Sequence, residues 1–367
     1  ERSRGLGDVY KRQTYYCTPE GKVTFNLSCT LKNNGNVTLN PGDEGYSITV
    51  TSGEEELCVV PVGTSLEPGQ ETTLPITAEY RMPDPQKNQF GFSLKATEGI
   101  SETSTTSQTL QLKGYIPELD IYLDNRSVST LDFGLAKGTA SATLELINKG
   151  SAPLTVTAIN TPEGVTATAS LPLTITAGER EAVTFTLGGN EGIAAGEITF
   201  DTNGTGSENK TKISYKGAVA NPQGWVEEFT DGSEMPQGWI ASAQGWSLNT
   251  VSGNTFLKST TSESSVDKII TPRISVTGNG IYLGVAKTAS GYYTKYSLKI
   301  WRSADRSNWE LAKELQSSDF SGSLNEFSYI EVPCEKGDCY FAFEGLNAGI
   351  DNIFGGSPST MAPVSYT

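Results

Sequence analysis

The sequence predicts an all-β protein built from three consecutive β-sandwich domains, and three observations lead to this prediction. The chain has 367 residues, enough for two to four domains of ordinary size. The first two hundred residues are rich in Thr, Gly, Val and Leu and contain short alternating runs, as half-buried strands do. All five tryptophans follow residue 224. Large aromatic rings fill a broad core or stack on a ligand, so we expect any binding function to lie in this C-terminal part of the chain.

Two segments of the N-terminal part repeat one plan of strand, turn and strand. The paired segments are Leu31–Asn36 with Leu66–Glu71, and Leu146–Ser151 with Ile175–Arg180. Each is followed by an alternating stretch, Thr73–Ala78 in the first copy and Ala182–Leu187 in the second. Alternation of this kind predicts half-buried strands. We therefore expect two tandem β-sandwiches, over residues 14–115 and 116–220.

The second copy resembles immunoglobulin-like modules of bacterial surface proteins. The resemblance rests on an Asn-x-Gly turn at Asn148–Gly150 and a later Gly-Glu strand motif at Gly196–Glu197. The first copy has a longer Pro-rich loop, Met82–Gln86, and resembles adhesion-type immunoglobulin-like repeats. Short stretches at 114–118 and 218–224 contain prolines and are predicted to be the linkers.

The C-terminal part carries five separated landmarks in a recognisable order. They are Glu227–Phe229, Pro236–Trp239, Trp246, Ile270–Pro272 and Ile350–Ile353. Together they resemble the cleaved-adhesin or choice-of-anchor J family, whose domains are jelly rolls related to MAM domains. The resemblance implies a jelly-roll β-sandwich over residues 221–356. The predicted fold class is thus all-β, with two tandem immunoglobulin-like β-sandwiches followed by a jelly roll.

One strand of this module supplies the first candidate ligand contacts. Alternation divides its side chains between two faces, Tyr296, Leu298 and Ile300 against Ser297, Lys299 and Trp301. A large ring beside a lysine is either covered by a loop or exposed as a stacking platform, so Trp301 is the leading sugar-contact candidate, with Lys299 beside it. The Ser303–Trp309 segment that follows also resembles the family's turn, with Arg306 where the family often has Gly.

Tyr292 and Tyr293 lie in a turn-like Ser-Gly-Tyr-Tyr-Thr segment and are further ligand candidates. At the rim of the domain their amphipathic rings would contact a partner. Packing beneath the loop is the alternative.

The resemblance also implies structural calcium, for which the candidate ligands are Glu227, Asp231 and Asp351. Calcium takes six to eight hard oxygens, which carboxylates and backbone carbonyls supply. The sequence departs from the family at Thr230 and Asn352, where the family often has an acid. A neutral site is therefore the alternative.

Five cysteines leave at least one thiol unpaired. Cys334 and Cys339 flank a Glu-Lys-Gly-Asp turn between two β-like runs, and facing hairpin positions would bring them within disulfide range. The pairing of Cys17, Cys29 and Cys58 stays open, and all three are alternatively small buried residues.

Composition excludes several functions. A net charge of −15 disfavours nucleic acid and anionic membranes, and the absence of histidine excludes His-dependent catalysis and His-ligated zinc. No acidic pair stands in a motif for glycoside hydrolysis, so we expect no enzyme. No apolar run is long enough for a transmembrane segment, and a composition rich in Thr, Ser, Gly and Asn with few Met favours a secreted or cell-surface protein.

These observations predict a non-catalytic secreted or surface protein whose spacer domains present an adhesin-like jelly roll to a glycan or an extracellular or host protein. The alternatives are an accessory region of a larger secreted enzyme, such as a peptidase, and a structural subunit of a surface assembly. Residues 1–13 resemble translated adapter sequence and are expected to be a non-native leader. Residues 357–367 are expected to be a linker or the start of a further module, and neither a signal peptide nor an anchor is recognisable.

Overall fold

The computed structural model describes residues 14–87, 89–98, 105–205, 208–230, 234–241, 245–291, 294–320 and 322–358. Within these ranges the regular elements are β-strands, apart from two single-turn 3₁₀ helices at Glu263–Ser265 and Ser317–Asp319. The predicted all-β fold class is confirmed. No helix in these ranges has the length and apolar character needed to cross a membrane.

The structure describes seven strands in the N-terminal unit. They are β1 (Thr14–Tyr16), β2 (Lys22–Lys32), β3 (Ser47–Ser52), β4 (Glu55–Pro61), β5 (Glu71–Arg81), β6 (Gln89–Glu98) and β7 (Thr105–Lys113). One sheet has the order β1-β7-β6-β3-β4, and β2 pairs with β5. Apolar side chains that include Phe25, Ile48 and Leu112 form the core of this unit.

Ten strands are described in the middle unit. They are β8 (Leu119–Leu123), β9 (Arg126–Ser127), β10 (Thr130–Lys137), β11 (Ala140–Asn148), β12 (Leu154–Asn160), β13 (Val165–Thr168), β14 (Leu173–Ile175), β15 (Arg180–Leu187), β16 (Gly192–Thr202) and β17 (Lys212–Ala220). The sheets β13-β15-β11-β8-β9 and β10-β17-β16-β12-β14 form a sandwich over one apolar core. As the alternation predicts, Val183, Phe185 and Leu187 of β15 point into it.

A buried asparagine accounts for the turn of the first repeated segment. The Asn33 Nδ2 donates hydrogen bonds to the carbonyls of Val37 and Leu66, both at 2.8 Å. Its Oδ1 accepts a bond from the Gly35 N–H at 2.9 Å. The side chain therefore joins its own turn to a segment far along the chain.

The second repeated segment makes the same three bonds. The Asn148 Nδ2 donates to the carbonyls of Ala152 at 2.8 Å and Ile175 at 2.9 Å, and its Oδ1 accepts from the Gly150 N–H at 2.9 Å. Asn148 is fully buried. The two repeated segments thus share one set of three hydrogen bonds from an asparagine side chain to the backbone. These bonds satisfy backbone groups that would otherwise be buried without partners.

We predict that Asn148→Ala lowers the free energy of unfolding of the middle unit by about 3 kcal/mol, because buried donors and acceptors lose their partner. The measurement is urea denaturation of the full chain followed by far-UV circular dichroism. Asn160→Ala is the matched control, because Asn160 is exposed and bonds only to exposed side chains. Equal losses of unfolding free energy in the two variants would contradict this role of the Asn148 hydrogen bonds.

Asp120, also in the middle unit, is a buried carboxylate held by two lysines. Its oxygens lie 2.5 Å from the Lys149 Nζ and 2.7 Å from the Lys210 Nζ. Burial alone would raise the pKa of Asp120, but the hydrogen bonds from Lys149 and Lys210 outweigh it and lower the pKa to about 2. The carboxylate is thus stabilised in its charged form.

Because the pKa of Asp120 is lower in the folded than in the unfolded chain, its stabilising contribution is present above about pH 4 and is lost as the pH falls to about 2. We expect Asp120→Asn to remove about 2 kcal/mol of stability at pH 7 and to flatten the acid limb of the stability curve. Urea unfolding from pH 2 to pH 7 measures both effects. Asp201→Asn, at an exposed position of the same unit, should leave the curve unchanged.

Within its described residues, the C-terminal unit has twelve strands. They are β18 (Trp225–Glu227), β19 (Ile240–Ala241), β20 (Trp246–Val251), β21 (Asn254–Ser259), β22 (Lys268–Ile270), β23 (Ile274–Val276), β24 (Gly280–Lys287), β25 (Ser297–Ser303), β26 (Glu310–Leu315), β27 (Ser328–Pro333), β28 (Gly337–Leu346) and β29 (Ala348–Pro358). One layer has the order β19-β22-β28-β25-β26, and the other has the order β20-β21-β29-β24-β27. β23 pairs with both β28 and β29, so hydrogen bonding continues from one layer to the other.

The core of this unit lies between its two layers. Ile269, Ile300 and Phe343 of the first layer and Leu283 and Ile350 of the second are fully buried there. Trp239 and Trp246, two of the sequence landmarks, also pack into this core. The first layer, called the outer layer below, therefore has one face in the core and one face turned away from it.

The middle unit covers the back of the second layer. Phe354, Tyr282 and Tyr329 of the C-terminal unit pack against Ala218 and Ala220 of β17. Ion pairs flank this contact, with Lys137 to Glu228 at 2.5 Å and Lys216 to Glu326 at 3.1 Å. The middle unit thus lies on the side of the C-terminal unit opposite the outer layer.

Candidate functional site

The hydrogen-bond register aligns side chains in rows across the exposed face of the outer layer. In an antiparallel sheet, residues directly opposite each other point to the same face. One row crosses all five strands and is apolar: Ile240, Ile270, Ala342, Trp301 and Leu311. Trp301 therefore lies outside the core, as its position in the alternation predicts, while Leu298 and Ile300 are fully buried.

Trp301 is half-buried, and its ring is covered by a lysine. The Lys268 Nζ lies 4.4 Å from the centre of the Trp301 ring and 5.6 Å from that of Trp309. The Trp301 Nε1 is buried and has no hydrogen-bond partner among the described residues. A cation–π contact at an exposed site contributes about 0.5–1 kcal/mol, so Lys268 is held over the Trp301 ring only weakly.

The turn after β25 places Trp309 beside Trp301. The Asp305 carboxylate accepts hydrogen bonds from the N–H groups of Ser307 at 2.8 Å and Asn308 at 2.9 Å. Arg306 has a φ of 65°, a conformation that costs glycine little, which explains why the resembling family often has Gly here. The Trp309 Nε1 then donates to the Arg306 carbonyl at 3.1 Å, which fixes the ring.

A second row on this face is charged and alternates in sign. It consists of Lys268, Glu344, Lys299 and Glu314 on four neighbouring strands. Lys299, the ligand candidate beside Trp301, thus lies between two glutamates. The structure brings Trp301 and Lys299 onto one face, two residues apart on β25.

An open groove lies where three loops meet at one end of the outer layer. Its volume is about 430 Å³, and its lining residues are Thr261, Glu263, Ala289, Thr294, Lys295, Leu346 and Asn347. The Lys295 Nζ and the Glu263 carboxylate form an exposed ion pair of 3.0 Å. Ala289 and Leu346 add apolar surface, so the groove combines a small apolar patch with several polar groups.

Asn347 ties the three loops together. Its N–H donates to the Thr260 carbonyl, its carbonyl accepts from the Thr288 N–H, and its Nδ2 donates to the Lys295 carbonyl, each at 2.9 Å. Its Oδ1 is buried and has no hydrogen-bond partner in the described part of the chain. Because an unsatisfied buried acceptor costs about 1–3 kcal/mol, such an atom in a groove wall marks a candidate ligand or water contact.

The groove is separate from Trp301 and was not predicted from the sequence. Leu346 in its wall pairs with Ser297, at the opposite end of β25 from Trp301. Four residues along a strand span about 14 Å, so one small ligand does not contact both places. Tyr292 and Tyr293 lie outside the described residues, although their neighbours in the sequence, Ala289 and Thr294, line the groove.

The calcium candidates Glu227 and Asp351 are both occupied by N–H donors. Glu227 accepts hydrogen bonds from the Phe229 N–H at 3.0 Å and the Trp239 Nε1 at 3.3 Å. Asp351 accepts from the Asn254 Nδ2 at 3.0 Å and the Asn352 N–H at 2.8 Å. Both carboxylates therefore have partners within the protein.

Burial raises the pKa of Asp351 to about 6, and the charges of Glu228 and Glu227 add to this effect, although the hydrogen bonds from Asn254 and Asn352 oppose it. Asp231 lies outside the described residues, and no group of three potential metal ligands occurs among those that are described. Calcium binding stays a prediction.

The hairpin expected between Cys334 and Cys339 is wrong. β27 pairs with β24 and β28 pairs with β22, β23 and β25, so the intervening turn passes from one layer to the other. Both cysteines are thiols here. Burial, reinforced by the charge of Cys339, raises the pKa of Cys334 to about 11. Their pairing stays a prediction, as do those of Cys17, Cys29 and Cys58, which are also thiols.

No protein-family model matches the chain, and no curated protein matches it. Among solved structures, it is similar to a cleaved adhesin domain of Lys-gingipain from Porphyromonas gingivalis, with 16% identity and a TM-score of 0.29 over 36% of this chain and 96% of that one. Another cleaved adhesin domain of Lys-gingipain gives 14% identity and a TM-score of 0.26 over 36% of this chain and 98% of that one.

The chain is also similar to the N-terminal CBM22 tandem domain of Xyn10C from Paenibacillus barcinonensis. That comparison has 13% identity and a TM-score of 0.23, and it covers 75% of this chain and 89% of that one. At these values the comparisons do not assign a function to the chain.

Proposed function

We propose that the protein is a non-catalytic, secreted or cell-surface binding protein whose C-terminal unit binds a saccharide in the loop groove. The N-terminal and middle units, with proposed boundaries at residues 115 and 220, act as immunoglobulin-like spacers that present it. An extracellular or host protein that carries the saccharide is the proposed partner.

The unsatisfied Asn347 Oδ1 carries this proposal. Asn347 lines the groove and its buried Oδ1 lacks a donor, which a ligand hydroxyl would supply once the side chain turns toward the groove. Ligand sites in proteins are concave and combine apolar surface with a few well-placed polar groups. The hydroxyls of Thr261 and Thr294 and the apolar surface of Leu346 give the groove this character.

The charges around the groove favour a neutral ligand rich in hydroxyls over a strongly charged one. Glu263 and Lys295 already neutralise each other at 3.0 Å, and both are largely exposed. A surface pair of this kind is worth at most about 1 kcal/mol, so a ligand hydroxyl can insert between the two groups at little cost. The carboxylate then accepts a hydroxyl bond, and the ammonium donates one.

We expect Glu263→Gln to reduce saccharide affinity about tenfold, because one charge-assisted hydrogen bond is weakened. The measurement is a glycan array with the full chain, followed by titration of each saccharide that binds. Glu197→Gln is the matched control, since Glu197 forms an exposed pair with Lys212 in the middle unit and lies outside the groove. Equal affinity in the two variants would exclude the groove, and silence on the array would favour the accessory-region alternative.

Trp301, with Lys299, remains a second proposed sugar contact, and the same array tests it. Stacking on Trp301 requires Lys268 to leave the ring, which costs about 1 kcal/mol. Loss of binding in Trp301→Ala with Glu263→Gln unaffected would place the saccharide on the outer face. The reverse result would place it in the groove.

Calcium is proposed as a structural ion at Asp351, Glu227 and Asp231. The support is electrostatic, because the neighbouring glutamates add to the raised pKa of Asp351 and a cation would relieve that repulsion. We expect calcium chloride to raise the melting temperature of the wild-type chain, since a ligand that binds the native state stabilises it. Asp351→Asn should abolish the rise, and a wild-type melting temperature independent of calcium would refute the proposal.

A further inference from the structure

We propose that the exposed face of the outer layer binds a second copy of this chain, face to face, about a two-fold axis parallel to the strands. This inference does not depend on the loop groove, and the dimer would cover Trp301 and Lys299, the second proposed sugar contact. It rests on the two rows of side chains that the register places on this face.

The apolar row makes burial of this face against a partner favourable. Ile240 and Leu311, at its two ends, are 46% and 47% exposed although both are large apolar side chains. Trp301 and Ile270 lie half-buried between them. The middle unit packs on the opposite side of the C-terminal unit, around Phe354, and does not cover this row. A contiguous apolar strip with a charged border is typical of an interaction surface.

The charged row identifies the partner. Across the strands its order is Lys268, Glu344, Lys299 and Glu314. A two-fold axis parallel to the strands leaves each row at the same position along the strand direction. It reverses the order in which the strands follow one another across the sheet. Lys268 then faces Glu314 of the second copy, and Glu344 faces Lys299 of the second copy. A two-fold interface joins the same patch of both copies, so the patch must be complementary to itself. The charged row meets this condition, because each charge faces one of opposite sign.

None of the four charges takes part in the ion pairs found among the described residues. The Lys268 Nζ lies over the Trp301 ring, and Glu314 accepts a hydrogen bond from the Gln316 Nε2 at 2.6 Å, so both contacts rearrange in the proposed dimer.

The pairing of the charged rows places the axis between β28 and β25. In the apolar row, Trp301 therefore faces Ala342 of the second copy, and Leu311 faces Ile270 of the second copy.

The size of the face sets the expected strength. Because the axis lies between β28 and β25, four strands of each copy overlap. At about 4.8 Å each they span about 19 Å, and the rows from Tyr340 to Leu346 extend about 20 Å along the strands. Two such faces bury about 800 Å² in total, a size typical of weak, transient interfaces. We therefore expect a reversible dimer with a dissociation constant in the micromolar range.

The test is sedimentation of the full chain from about 1 to about 200 µM, a range that spans a micromolar dissociation constant. The wild type should pass from monomer to dimer. Lys268→Glu and Glu314→Lys should each remain monomeric, because each places two like charges against each other in the dimer. Thermal melts of both variants confirm that these surface changes leave the fold intact.

An equimolar mixture of the two variants should recover the dimer. In the mixed dimer, both outer contacts again join a lysine to a glutamate. Within one chain, Lys268 and Glu314 are three strands apart, about 14 Å, so recovery cannot come from a contact inside one copy. A wild type that stays monomeric over the whole range, a single variant that dimerises normally, or a mixture that stays monomeric would each overturn the proposal.

Discussion

The antiparallel register of the outer layer is the constraint on which the surface of the C-terminal unit depends. The core takes alternate residues, including Ile269, Ile300 and Phe343, and burying each of these side chains contributes about 1.5–3 kcal/mol. A shift of any strand by one residue would exchange its two faces and expose these side chains. The core therefore also fixes which residues remain outside, and Trp301 and Lys299 are outside because Ile300 is inside.

The two layers have different surroundings. The back of the second layer is packed against the middle unit through Phe354 and Ala218, so this side is used within the chain. The outer layer ends in the loop groove, and its face carries the apolar and charged rows. The rows of the outer face and the lining of the groove contain none of the residues of this contact with the middle unit.

Local patterns in the sequence predicted much of this, and long-range pairing supplied the rest. Alternation predicted both faces of β25, and the repeated Asn-x-Gly segments predicted the matching turns around Asn33 and Asn148. The lysine over Trp301 comes from β22, which reaches β25 only through β28, so no local pattern indicates it. The groove needs three separate loops, and the expected hairpin around Cys339 failed because neighbouring strands belong to different layers.

The proposed dimer and the groove are linked by geometry. A two-fold axis parallel to the strands keeps both copies of each row at the same height, so the two grooves lie at the same end of the dimer. A surface that displays many copies of one saccharide then engages both grooves, and the second contact forms at a high effective concentration. For the proposed saccharide, a shallow groove with exposed charges such as Glu263 and Lys295 would give only a weak contact. Pairing the grooves in the proposed dimer would strengthen attachment without any new contact to the ligand.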